Sequence, residues 1–76
     1  MSAAKPVPAV SPEAVLTKAT IRAAELLDLQ SSDLATVIGV SNATVSRYRS
    51  GRSEISPSTK PGELALLLVR VFRSLE

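Results

Sequence analysis

The chain has 76 residues, nine basic and seven acidic side chains, a net charge of +2, and neither cysteine nor histidine. That length holds one domain with one modest core. The missing residue types exclude a disulfide, a thiolate metal site and any histidine-activated nucleophile, and no carboxylates cluster as a catalytic pair. An enzyme is therefore not expected, and neither is a metal site or a cofactor.

Residues 1–10 read as a flexible N-terminal arm, biased toward extended backbone by Pro6 and Pro8. Lys5 is the single basic residue in it, so a solvated tail is a simpler reading than a minor-groove contact. Nothing there resembles a signal peptide. The most apolar stretch, Leu64–Phe72, is interrupted by Arg70 and is too short to span a bilayer. A cytoplasmic protein without a membrane partner is expected.

Residues 11–76 read as one all-α domain of four to five helices. Ser11-Pro12-Glu13 is a helix start: serine caps, proline suits the first helical position, and glutamate favours the positive end of the dipole. This helix is expected to reach about Asp28. Leu16, Ala19, Ala23, Leu26 and Leu27 form its apolar stripe, with Lys18, Arg22 and Glu25 opposite. A second, short helix starts in Gln30–Ser32 and runs to about Val37, where Gly39 breaks it. Ser41 caps a third over Asn42–Arg49, and Ser50-Gly51 ends it. Arg52–Lys60, with Pro57 and its serines, is a loop. Pro61 opens the last helix, capped from within Ser58–Lys60 and running to the end of the chain.

The stretch Ser31–Ser50, S-S-D-L-A-T-V-I-G-V-S-N-A-T-V-S-R-Y-R-S, meets the demands of a helix-turn-helix. Leu34 supplies the first helix's core contact and Ala35 a close crossing. Gly39 tolerates the positive φ of the tight turn. Ile38 and Val40 flank the turn with apolar side chains. Val45 and Tyr48 give the second helix its buried face, which makes Tyr48 a core residue rather than a base-stacking one. The outward positions of that second helix are Asn42, Ala43, Thr44, Ser46 and Arg47. In this motif the second helix enters the major groove through its N-terminal part. Arginine there reads guanine, asparagine reads adenine, and an alanine or threonine methyl packs on thymine. These are the candidate base-reading residues.

Ser41–Ser53 holds Arg47, Arg49 and Arg52 and no acidic residue, a local charge suited to phosphate. Arg49 and Arg52, past the reading positions, are expected to hold backbone phosphate. Ser31 and Ser32 join them from a helix N-terminus. Ser41, chiefly a cap, and Lys60 are weaker phosphate candidates, and Thr44 serves the cap as much as the groove.

The run from Ala23 to Gly51 resembles the Xre type of helix-turn-helix, the lambda-repressor-like (Xre/Cro) fold of phage repressors. The continuation G-E-L-A-L-L-L-V-R-V-F-R-S-L is similar to the Xre/MbcA/ParS-type antitoxins, partners of RES-domain toxins. The resemblance implies a bacterial type II toxin–antitoxin system. Its antitoxin binds double-stranded DNA, the operator of its own operon, and represses it. It also implies a C-terminal domain that blocks an NAD-consuming toxin. Helix-turn-helix proteins pair to read two half-sites, so a homodimer of the full-length protein, nucleoid-associated when bound to DNA, is expected. Two departures stand out. Gln30 occupies the place where serine or threonine usually caps, which would move the cap to Ser31. The chain also stops at Glu76, where the family would continue into its toxin-binding domain.

In the last helix Leu64, Leu67, Leu68, Val71 and Leu75 share one face. Ala65, Val69 and Phe72 widen the apolar arc and Leu66 lies beyond it, more than a small core requires. Leu66, Val69, Phe72 and Leu75 are the expected partner or dimer surface. Two other readings compete with the antitoxin: a stand-alone phage-type Xre repressor, and a protein-interaction module acting through this last helix.

Overall fold

The structure, a computed structural model, describes residues 11–75; the expected arm at 1–10, with Lys5, lies outside them. All regular structure among the described residues is helical: α1 (Pro12–Leu26), α2 (Ser31–Ile38), α3 (Asn42–Ser50) and α4 (Lys60–Ser74). The two long helices, α1 and α4, pack together. Helix α2 packs on α3 and on α4, and α3 also meets α1. Leu34, Ile38, Val45 and Ile55 are completely enclosed at the centre, with Leu16, Ala24, Ala35 and Ala65 around them.

Helix α1 starts as its sequence dictates. Ser11 Oγ accepts from the Ala14 amide at 3.1 Å, and Pro12 and Glu13 fill the first turn. It stops two residues earlier than expected. Asp28 adopts φ +60°, a left-handed turn that a short acidic side chain tolerates. That turn sends Leu29, rather than Leu26, toward the core. Leu26 is exposed and Leu27 only half-buried, which corrects the lower end of the expected stripe.

The face of α1 that is buried runs instead through Leu16, Thr17, Thr20, Ala23 and Ala24. Two threonines can lie there because each hydroxyl donates to the carbonyl four residues back: Thr17 to Glu13 and Thr20 to Leu16, both at 2.7 Å. Thr17 Oγ1 also accepts from the Ile55 amide at 2.7 Å. This bond pins the α3–α4 loop to α1 and seats the Ile55 side chain in the core. The loop ends at Thr59, one residue earlier than expected, because Lys60 opens α4; its buried anchor is not visible in its polar composition.

Thr59 caps α4, accepting from the Gly62 amide at 3.2 Å. Gly62 is buried for a reason of space. A β-carbon there would lie 1.9 Å from the Ser56 carbonyl oxygen and 2.8 Å from Pro57 Cα, so the loop crosses α4 where a side chain would stand.

The apolar arc of α4 is distributed differently from expectation. Ala65 and Val69 are enclosed and Phe72 is half-buried. Val69 and Phe72 line a groove with Ala19 and Ala23 of α1. Val69 therefore belongs to the core and not to the expected partner surface, because the small α1 face draws that side of α4 inward. Leu64 and Leu68 pack at the core's edge. Leu67, Val71 and Leu75 are left 53, 55 and 70 % exposed, and Leu66 43 %.

Candidate nucleic-acid interface

Helix α2 is capped by Gln30, whose backbone N–H donates to Asp33 Oδ2 at 3.1 Å. The cap thus stays in the usual place, with the carboxylate three residues on supplying the bond, and does not move to Ser31. At the other end Gly39 sits at φ +77°, and the amides of Gly39 and Val40 both donate to the Ala35 carbonyl, at 2.8 and 2.9 Å. An L-residue at that φ is strained, so glycine is what closes this turn.

Ser41 then starts α3, its Oγ accepting from the Thr44 amide at 3.1 Å and lying 2.9 Å from Thr44 Oγ1. Arg47 Nη2 donates to the same Thr44 oxygen at 3.0 Å. Cap, threonine and arginine so form one chain of hydrogen bonds along the outer side of the helix. The opposite side is anchored by Val45, fully enclosed, and Tyr48, half-buried against the core. Gly51 ends α3 at φ +82°, with the Arg52 amide donating to the Arg47 carbonyl at 2.9 Å.

Asn42, Ala43, Ser46 and Arg47 are all exposed, on the side of α3 away from Val45 and Tyr48. Thr44 is half-buried on the flank, its oxygen occupied by the cap and by Arg47. Ser50 lies on the same outward face, seven positions from Ala43 and four from Ser46, and was not among the sequence candidates. The spacing marked it, but its place beside the helix-ending glycine masked it. Helix α3 has no acidic residue in its first turn and carries Arg47 and Arg49 in its last, where cations suit the helix dipole.

Ser31 and Arg49, 18 residues apart, are joined: Arg49 Nε donates to Ser31 Oγ at 3.1 Å. Arg49 Nη1 is also 3.7 Å from Glu25 Oε2, in the last turn of α1. Nothing local in the sequence pairs Glu25 with Arg49. Ser32 and Arg52 are exposed. Lys60 is exposed at the start of α4, 3.7 Å from Glu63.

Two short helices joined by a glycine turn, the second presenting a polar and basic face backed by a packed apolar one, define a helix-turn-helix DNA-binding domain. The family model of the antitoxin Xre-like helix-turn-helix domain matches residues 7–70. The chain belongs to that family, a family of DNA-binding regulators rather than enzymes, and the antitoxin class implies a toxin partner. No curated protein sequence matches the chain. Among the described residues no helix is long and apolar enough to cross a membrane.

Proposed function

We propose that this chain is the operator-reading domain of an autorepressing antitoxin. Helix α3 enters the major groove with Asn42, Ala43, Ser46 and Arg47 toward the bases and Thr44 steering Arg47. Arg52, Ser31 and Ser32 hold phosphate on either side, with Ser41 and Lys60 as minor contributors. The observation that carries this reading is the outward face of α3, exposed, free of acid and set by the Gly39 turn, in a chain of the antitoxin family.

The partner is a RES-domain toxin, which the protein neutralises, a reading that follows from the likeness of the Gly62–Leu75 stretch to that antitoxin group. The repressor acts as a homodimer, since two-fold operators match two reading helices. The exposed Leu67 and Val71 of α4, with Leu75 just past its end, supply an apolar face for assembly, with Leu66 on its far flank.

The test is a binding titration on duplexes from the promoter of the operon, at several salt concentrations. Specific binding should weaken steeply with salt. Arg47→Ala should flatten the preference for the operator over a shuffled duplex. If Arg47→Ala left that preference intact, α3 would not be the reading helix. Co-expression with a neighbouring RES-domain toxin tests the second half: rescue of growth by the antitoxin is expected, and its failure would remove the toxin assignment.

A further inference from the structure

Helix α3 is weakly held by apolar contact. Of its nine residues only Val45 is fully enclosed, with Thr44 and Tyr48 half-buried. Its first turn is fixed by the Gly39 turn and the Ser41 cap. Its last turn is held by apolar contact through the half-buried Tyr48, and Arg49 adds a second, polar anchor there. One guanidinium reaches the first residue of α2, Ser31 Oγ at 3.1 Å, and the last turn of α1, Glu25 Oε2 at 3.7 Å. A planar guanidinium can serve both partners at once, which an ammonium on a flexible stem does poorly.

We infer that Arg49 is a positioning residue, tying the last turn of the reading helix to α1 and α2, and not a phosphate ligand. The inference rests on α3 being the reading helix, as proposed above. Two further observations favour it. The Arg49 side chain is 30 % exposed while its partner Glu25 is 61 % exposed, so the arginine is the sheltered member of the pair. The Glu25 carboxylate also offsets the arginine's charge where a phosphate would need it, whereas no carboxylate among the described residues lies within 4.0 Å of Arg47 or Arg52. Releasing Arg49 leaves the fold in place and lets α3 swing about its N-terminal turn, which blurs the aim of Asn42, Ser46 and Arg47.

The test uses the full chain and two duplexes: one selected from a random library by the unaltered protein, and a shuffled one of equal length. Arg49→Gln, Arg49→Lys, Glu25→Gln and, as the phosphate comparator, Arg52→Gln are titrated across a salt series. Amide exchange of Arg47–Ser50 is followed without DNA. Arg49→Gln and Arg49→Lys should each reduce discrimination between the duplexes about fivefold, the size of an exposed ion pair and its hydrogen bond. Their salt slope should equal that of the unaltered protein, and exchange in the last turn of α3 should quicken. Glu25→Gln should lose discrimination in the same direction, and it stands in for the Arg49 variants if those do not fold. Arg52→Gln should instead lower the salt slope by about one with discrimination kept.

A slope reduced by about one in Arg49→Gln would make Arg49 a phosphate ligand and overturn the inference. So would Glu25→Gln binding the selected duplex more tightly with discrimination intact, because that carboxylate would then have been competing with phosphate. Unchanged exchange in Arg47–Ser50 would also overturn it. If the unaltered protein selects no duplex, the reading-helix proposal fails, and the exchange measurement alone decides whether Arg49 braces α3.

Discussion

The two halves of this domain are built by different rules. From Gln30 to Gly51, structure follows from neighbours in the chain: caps at Gln30 and Ser41, left-handed glycines at 39 and 51, and an outward face set by helical spacing. In α1 and α4 it follows from partners distant in the chain. Those two helices face each other through small side chains, and the chain between α3 and α4 is threaded through their packing at Ile55 and Gly62. The reading half is thus a local device, and the scaffold half is a long-range fit that holds it at a fixed pose.

The largest expected effect breaks the two halves together. Ile38, fully enclosed in the core where α2 meets α3 and α4, should cost about 4 kcal/mol when cut to alanine. Thermal denaturation should show the midpoint falling by more than ~10 °C, since a domain this small loses about 4–8 °C per kcal/mol. A smaller loss would mean that the two halves do not share one core.

Gly62→Ala strikes the scaffold alone. Its new methyl would collide with the Ser56 carbonyl, a backbone atom that cannot rotate away. Loss of about 3 kcal/mol is expected, the upper range of overpacking. Denaturant melts give the number, and a neutral outcome would show that the 56–57 segment moves freely off α4.

Arg47→Ala acts only on the reading half. Removing a guanidinium hydrogen-bonded to Thr44 and exposed on the outward face should leave the melt unchanged. Affinity for the selected duplex should weaken by about 2 kcal/mol, roughly thirtyfold. A fallen melting point with unchanged affinity would reverse this division of labour.

Thr17→Val tests the seam between the halves. The isostere keeps the volume but removes the oxygen that accepts from the Ile55 amide. An unpartnered buried amide costs about 1–2 kcal/mol, and exchange of the Ile55 amide should accelerate more than that of the α2 amides. Equal acceleration everywhere would mean that the loop has no separate attachment.

The smallest effect on stability should come from Leu67→Lys, within about 0.5 kcal/mol, because that side chain is already 53 % exposed. Sedimentation should nevertheless show weaker self-association of any dimer the protein forms. Undiminished association would move the dimer surface away from α4.

How much of this could be read beforehand divides along the same line. The Ser31–Ser50 motif, its turn glycine, the Ser41 cap and the Asn42, Ala43, Ser46 and Arg47 face emerge from spacing, because each is decided within one or two helical turns; the α2 cap does not, since Asp33 keeps it at Gln30 where Ser31 was expected. The start of α1 at Ser11-Pro12-Glu13 and a cap for α4 inside Ser58–Lys60 are legible for the same reason. Periodicity grouped Leu64, Leu67, Leu68, Val71 and Leu75 on one face, but the structure divides them, Leu64 and Leu68 packing at the core's edge and Leu67, Val71 and Leu75 standing exposed. An apolar arc this wide has two plausible inward directions. The close approach of α1, with alanines and internally bonded threonines on its surface, selected the Ala65–Val69 side.

Arg49 shows the same limit at the site. Its residue type and position suggested phosphate. Its bonds to Ser31 and Glu25 exist because three helix ends converge there, across 18 and 24 positions of chain. Caps, turns and helix faces are settled by bonds a few residues long, and these the amino-acid order encodes directly. Which face is buried, which arginine is bound internally and where a glycine is compulsory depend on what another segment places opposite, so they appear once the chain has folded.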